Sequence, residues 1–554
     1  MVIGDRNERL TPGVSRRAVL RGGLAGAAGL AGISGLAACG PEGGGAGGAG
    51  GAGDGSLELP TYVPFEDVEP DLPGTAEGVP PGFYNYPDPP IEREGFPLQG
   101  VDPFTFLVTG TPPAVLPEDN KNYAWMDEQL GTPSTTIFGT YSDYTSKFQV
   151  TMASGDLPDL AIVIQVPGLP QLLEKNFTDL TDVLGGDGVK KYPGLANIPN
   201  SAWQLCTVNG RLWGVTRPQP PTGRVINYRS DVIEKRGLTE ADLAPQSGDE
   251  FLELMKALTD KDNNLFAMGA DPTSWLMSIS KQMAGTPNGW AEENGTFVSD
   301  IASEQMKDAL DYAKQVWAAG VMHPNSFSDP SQNGTWYDAG VTALYVRGFG
   351  GWDFNIRAFP EATIGALIPP KLEGGGPAPV HKSDAGYPAF TAIRKTDDAD
   401  RIDQFLRVFD FFASPFGTDQ YLGFNYGVED YAYTMEGPNP VPIDDAPETP
   451  IYHTYAGGAR NSVIYGQGDR TSVDLRHAYA MEVLPTGVDD ASTGLYSETE
   501  VTKGTTMNKQ MHDVMRQIIQ GQQGMSAWDD FVKMWKSRVG DQVAEEYAEA
   551  AAAR

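Results

Sequence analysis

The residue types that most often carry out chemistry are sparse and scattered in this chain. The five histidines, His323, His381, His453, His477 and His512, are never closer than 24 residues to one another. That spacing excludes the His-x-x-x-His pair with which one helix face grips a metal. Two cysteines, Cys39 and Cys206, are too few for a cysteine zinc site. No Gly-x-Ser-x-Gly nucleophile elbow and no Gly-x-x-x-x-Gly-Lys-Ser/Thr phosphate loop occurs. Carboxylates are the exception, because 73 Asp and Glu always supply the pair that glycoside hydrolysis needs. A glycosidase therefore stays open as an alternative. The chain otherwise reads as a protein that is not an enzyme and takes no metal or cofactor.

Cys39 offers chemistry of a different kind. It closes the run Leu36-Ala37-Ala38-Cys39, behind an apolar Gly/Ala-rich stretch from Gly22 to Ala38. Ser15-Arg16-Arg17-Ala18-Val19-Leu20 stands before that stretch. A basic segment followed by a short apolar one is the pattern of an export signal, and paired arginines mark the twin-arginine route. The small-small-Cys end resembles the lipobox at which bacterial lipoproteins are cut and lipidated. Residues 1–38 are thus expected to be a twin-arginine lipoprotein signal peptide. Cys39 is the expected lipidation site, leaving the protein exported and held to the outer face of the cell membrane by lipid alone. Cys206 then has no disulfide partner, and in Trp203-Gln204-Leu205-Cys206 it reads as a small buried hydrophobe.

The formal net charge is −33, and without the five Arg and two acidic residues of 1–38 it stands near −36. Such a surface repels nucleic acid and anionic lipid. An acidic sugar polymer is disfavoured on the same ground, unless a local basic pocket overrides the bulk field. Gly40 to Gly55 is mostly Gly and Ala and reads as a flexible leash. Leu57 to Gly100 is rich in Pro and acidic residues and reads as a stiffer spacer that packs on the body.

The body starts near Val101. Phe104 to Val108 reads as a buried strand, Asn122 to Leu130 as a helix and Thr135 to Phe138 as a strand. Phe148 to Ala153 is helical, and Leu160 to Ile164 is the next strand. The rhythm resumes with the strand Val225 to Tyr228 and the helix Asp249 to Thr259. Ser303 caps a helix that carries Met306, Leu310, Ala313 and Trp317 on one face and ends at Gly320. Val341 to Val346 is a strand and Ile402 to Ala413 a deeply packed helix. Ser526-Ala527-Trp528-Asp529 has the spacing of a capping box before a C-terminal helix. Strands alternating with helices imply an α/β fold with parallel sheets.

Five local signatures then occur in order. They are Ala153-Ser154-Gly155-Asp156-Leu157-Pro158-Asp159-Leu160, Phe177 to Thr181, Asn209 to Val215, Asn227 to Val232, and the Pro-x-x-x-x-Glu-Phe-x-x-x-x-x-Ala-Leu pattern of Pro245 to Leu258. This order resembles the extracellular solute-binding proteins of ABC importers, in the carbohydrate-binding group. Gly427 to Tyr431 and the extra length of Tyr433 to Tyr455 are similar to the oligosaccharide-uptake lipoproteins. The resemblance implies two α/β lobes joined by crossing hinge strands, with the ligand in the cleft between them. The crossings fall near Pro218 to Val225 and Ser383 to Ala392. Residues 101–222 and 388–430 are expected to form lobe 1. Residues 223–387 and 431–554 are expected to form lobe 2, and 39–100 the linker. Hinge closure on a carbohydrate of oligosaccharide size and delivery to separate permease subunits follow from the same resemblance, with the chain a monomer. A peptide or other polar solute is the alternative cargo, and a scaffold or adhesin would leave the cleft idle.

Sugars are held by aromatic faces against their C–H faces and by planar polar side chains against their hydroxyls. Trp352 follows a strand end, where ligands bind in open α/β sheets, and the resemblance places a stacking Trp there. Asp353 either accepts from sugar hydroxyls or caps the next helix. Trp275 follows a turn after the strand Phe266 to Gly269. Trp336 and Tyr337 lie in a Gly/Asn-containing loop, and Tyr387 at the second crossing. Gln165 follows the strand Leu160 to Ile164, and Asn425, Tyr426 and Glu429 form a polar-aromatic loop. Trp213 and Asp156 are assigned to packing and turn chemistry instead. Replacing Cys39 by Ala is expected to release the protein from membranes in a fractionation experiment, and persistent attachment would count against the lipobox.

Overall fold

Runs of three to seven residues, too short for helices, build two four-stranded sheets. The strands are β1 Phe104–Thr109, β2 Ser134–Gly139, β3 Leu160–Val163, β4 Arg224–Arg229, β5 Phe266–Met268, β6 Thr342–Gly348, β7 Ile364–Leu367 and β8 Phe390–Ile393. The computed structural model describes residues 57–552 apart from 385, 387–388, 459 and 461. The expected signal, Cys39, the leash to Gly55 and Tyr387 lie outside the described residues.

The first sheet runs β8-β3-β1-β2, and β1 is parallel to both β2 and β3. Every residue of β3 and all of β1 except Thr105 are buried, as expected of strands covered on both faces. The second sheet runs β7-β4-β6-β5. Here only β5 and β6 are parallel, whereas β4 is antiparallel to both of its neighbours. This corrects the expectation of parallel sheets. β8 is likewise antiparallel to β3. The strands that arrive from the other lobe, β4 and β8, are the ones that run against their neighbours.

The helices follow their local chemistry. Asn120 caps Lys121–Leu130 by accepting from the Asn122 N–H at 2.9 Å. Asp398 accepts from the N–H groups of Asp400 and Arg401 at the start of Ala399–Phe412, which buries Phe405, Phe409, Phe411 and Phe412. The Ser303 hydroxyl accepts from Met306 N–H at 3.3 Å, and Gln305–Ala319 ends at Gly320 as expected. The capping box at Ser526 does not form. The helix Ser526–Trp535 already includes Ser526, and its first turn has no side-chain cap. Cys206 is fully buried, and burial pushes its thiol pKa up.

Two crossings join the lobes. Val215 and Thr391 exchange backbone hydrogen bonds of 3.0 and 2.8 Å, and Pro218 faces Gly386 in a second antiparallel bridge. Gly223, at φ +67°, lies so close to the returning segment that a Cβ would stand 2.2 Å from the His381 carbonyl oxygen. A third connection, unforeseen in the sequence, leaves Ala456 in the first core and reaches Ile464, which packs with Val225 and Trp352.

Two expected boundaries need correction. Residues 431–554 were assigned to lobe 2, but Tyr455 and Ala456 pack in the core of lobe 1 with Phe412 and Ala413. The tail of that stretch does join the second core, through Trp528, Phe531 and Trp535. From residue 57 onward the expected linker is part of the body. Thr61 and Val63 donate to Gly186 and Ala196 of lobe 1, while Val79 and Tyr84 pack beside Val225 and Trp352 of lobe 2. Leu98 then returns to the first core. Arg93 seals this path by pairing with Asp410 at 2.6 Å, both side chains being buried.

His453 is fully buried between Thr136 Oγ1 and the Pro450 carbonyl, each 3.1 Å from a ring nitrogen. Burial holds its pKa at about 4, below the ordinary 6.5. The unfolded chain takes up that proton as pH falls through 6.5 while the native chain does not. Native stability is therefore full above pH 6.5 and falls toward pH 4, by about 1.4 kcal/mol per pH unit for this group. Urea midpoints at pH 7 and pH 5 should show the loss, and His453→Gln should make the pH dependence shallower.

Candidate functional site

A cavity of about 720 Å³ opens between the lobes. The first crossing lines it with Arg217, Gln219, Pro220 and Thr222 to Arg224. The approach to the second crossing adds His381, Lys382 and Ser383. Lobe 2 supplies Ser278, Lys281 and Gln282 from the helix Met277–Ala284, with Asn288 beyond it. It also contributes the turn Gly348 to Gly351 at the end of β6, together with Phe354. Ile451 and Thr454 face them from lobe 1, and Arg460 enters from the third connection. The segment Tyr433 to Tyr455, whose role the sequence left open, thus carries part of one wall.

At the β6 end the ring that lines the cavity is not the expected one. Trp352 begins the helix Trp352–Ala358 and is only 1% exposed. Its indole N–H donates to the Ile364 carbonyl at 2.8 Å, and Tyr479 packs edge-on against it at 5.6 Å. Trp352 is a core residue, and its expected stacking role is corrected. Two positions on, Phe354 is 57% exposed and lines the cavity. The Arg347 guanidinium lies against the bare backbone of Gly351, where a Cβ would stand 2.2 Å from its Nε. Asp353 neither caps a helix nor stands free. Its carboxylate pairs with Arg357 at 2.5 Å and reaches Arg476 at 3.5 Å.

Trp275 is half-buried, with the Arg224 guanidinium 4.4 Å above its ring. It therefore borders the cavity through Arg224. Trp336 and Tyr337 sit in a helix, Asn333–Asp338, where a loop was expected. Trp336 stacks on His323 at 3.8 Å, and Tyr337 is fully buried beside Tyr345 and Phe359. Neither lines the cavity, and both serve packing. Gln165 is exposed and lines a separate, smaller space of about 170 Å³ with Asp384, Phe390 and Thr493. Asn425 is buried and donates to the Tyr421 carbonyl at 2.9 Å. Tyr426 lies against Tyr433, and burial pushes its pKa up to about 12 while the charge of Arg460 opposes the rise. Glu429 is exposed and lies outside the cavity lining.

The residues missed in the sequence are mainly cations. Arg217, Arg224, Lys281, Lys382 and Arg460 line the cavity, and no carboxylate does so among the described residues. Lys281 pairs with Asp300 at 2.5 Å, and Lys382 lies 3.4 Å from Asp489. Arg217 lies over the Tyr455 ring at 4.7 Å. A signal was available, because Arg217 precedes and Arg224 lies within the expected first crossing, and Lys382 precedes the second.

Two lobes, paired crossings and a polar cavity between them are the architecture of a two-lobed solute-binding protein. The chain belongs to the bacterial extracellular solute-binding proteins, whose family pattern matches residues 134–415, just over half of its length. It is 22% identical over 420 residues to the polygalacturonan/rhamnogalacturonan-binding protein YtcQ of Bacillus subtilis, covering 73% of this chain and 82% of that one. It is 22% identical over 446 residues to lipoprotein LipO of the same organism, covering 73% and 83%. The fold is similar to that of the alginate-binding protein AlgQ2 without calcium ion. The TM-score is 0.58 at 15% identity, over 83% of this chain and 99% of that one.

Trp352→Ala is expected to cost about 3–5 kcal/mol of stability, as for a buried aromatic. Phe354→Ala should instead leave the unfolding midpoint nearly unchanged and weaken ligand binding. Denaturant titration and calorimetry on both variants separate the two roles.

Proposed function

We propose that this protein captures a carbohydrate outside the cell and delivers it to the permease subunits of an ABC importer by closure of its two lobes. The observation that carries the reading is the cavity between the lobes, set on the paired crossings. It offers the aromatic face of Phe354, and Gln219, Gln282 and Asn288 line it with planar amides held in place by their own N–H bonds to backbone carbonyls. Rings and planar hydrogen-bonding groups around one space suit a polyhydroxylated ligand better than an apolar one. The names of YtcQ and AlgQ2 support the same class of cargo. Closure about two backbone ladders would bury the ligand without remaking either core.

The chain works as a monomeric capture subunit, with residues 1–38 as its export signal and Cys39 as its lipid anchor. The likeness to lipoprotein LipO supports the anchor. The cavity lining supplies cations and amides where glycoside hydrolysis uses two carboxylates, which favours release of the sugar unchanged.

A thermal-shift screen of the purified protein against mono- and oligosaccharides tests the reading. A ligand at 100 times its Kd stabilises the native state by about 2.7 kcal/mol. A saturable rise in Tm with one sugar class, with that sugar recovered intact, is expected. A rise with peptides alone would overturn the cargo, and consumption of the stabilising sugar would overturn the binding role.

A further inference from the structure

The cavity has the opposite charge to the protein that contains it. The chain carries 73 acidic residues against 40 Lys and Arg. A patch drawn at random from it would hold nearly two carboxylates for every cation. The cavity holds five cations and no carboxylate among the described residues that line it. Lys281 and Lys382 have Asp300 and Asp489 as partners outside the lining. Arg224 and Arg460 have no carboxylate partner among the described residues. They enter from different connections, Arg224 at the head of β4 and Arg460 between lobe 1 and Ile464.

Resting on the carbohydrate reading above, we infer that the cleft selects sugars bearing carboxylates, with Arg224 and Arg460 as the residues that recognise the charge. A guanidinium is planar and donates two parallel N–H bonds to a carboxylate, so it discriminates by geometry as well as by sign. Arg224 is already oriented for this by the Trp275 ring beneath it, at 4.4 Å. Arg224 is exposed at the head of β4, so its guanidinium is open to an incoming carboxylate. Lys281 and Lys382 add to the local positive potential, each already partly neutralised. The acidic outer surface acts against the same ligand at long range. That repulsion is screened beyond about 8–10 Å at ordinary salt, whereas contacts inside the cleft are screened much less. The bulk charge therefore does not decide the cargo.

The test uses the purified full chain and calorimetric titration. The probes are short oligomers of galacturonate, mannuronate and glucuronate, each beside its methyl-esterified, uncharged counterpart, and a sulfated neutral oligosaccharide. At least one uronate oligomer should bind tenfold or more tighter than its own ester, with the advantage shrinking as salt rises. Arg224→Gln and Arg460→Gln should each reduce that advantage about tenfold, and Arg224→Lys should restore only part of it, because a lysine keeps the charge and loses the fork. Unfolding midpoints of the variants establish that they are folded, and Lys382→Gln serves in place of either that is not. Esters or neutral sugars that bind as well as the acids would overturn the inference and leave carbohydrate capture standing. Sulfated sugar binding as tightly as any uronate would overturn the assignment to carboxylates. Absence of binding by every sugar, charged or neutral, would overturn the carbohydrate reading together with the inference.

Discussion

The antiparallel contact between the two crossings is the constraint on which the rest of the molecule depends. Val215 and Thr391 exchange backbone hydrogen bonds, Pro218 faces Gly386, and the Gln219 amide donates to the carbonyls of Asp384 and Gly386. The Val215–Thr391 bonds sit at the edge of the lobe 1 core, and the Pro218–Gly386 and Gln219 contacts carry the two segments on beyond it. They hold two short segments in register between two separately packed lobes, so what lies on the crossings lies in the cleft. Arg217, Gln219, Arg224, Lys382 and Ser383 face the cavity for that reason. The tight approach of Gly223 to the His381 carbonyl keeps the two segments within one layer.

The cleft also shows how a strongly acidic chain can present a positive site. Charge on the outer surface disperses into solvent and salt, while charge inside a walled space acts over short distances with less screening. His381 lines the same space, and burial and the nearby Lys281 hold its pKa at about 4. It stays neutral near pH 7 and contacts the Thr286 carbonyl at 3.0 Å. The positive field is thus set by groups that remain charged across the physiological range, Arg and Lys, and not by a titrating histidine.

The stretch 57–100 ties the lobes together in a manner its composition conceals. It contacts lobe 1 at Gly186 and Ala196, lobe 2 through Val79 and Tyr84, and lobe 1 again at Leu98. Tyr86 is buried among Phe416, Tyr421 and Tyr465, with its hydroxyl donating to the Thr418 carbonyl at 2.7 Å. Arg93 donates to Asp410 Oδ2 and Ser414 Oγ, while Asp410 Oδ1 accepts from the Gly194 N–H. A buried charge pair is tolerable because nearly every polar atom in it is bonded. A segment rich in Pro and acidic residues reads as a spacer only while its contacts are out of sight.

Local chemistry settled much of the molecule in the sequence itself. The short apolar runs specify most of the sheet strands, Ser303 specifies a helix start, and the ordered signatures from Ala153 to Leu258 point to the family. These are properties of neighbours in the chain, legible because helix periodicity, capping and strand patterning act over a few residues. The tertiary structure decided which side chains meet. Trp352 and Phe354 stand two residues apart at the same strand end, yet one fills a core and the other faces the cleft. A helix rotates successive side chains by about 100°, and only packing selects which face is covered. The antiparallel placement of β4 and β8, the third connection and the gathering of Arg217, Arg224 and Arg460 join residues up to hundreds of positions apart. No local pattern encodes such contacts, because the energies that select them arise only when the lobes are assembled around the hinge.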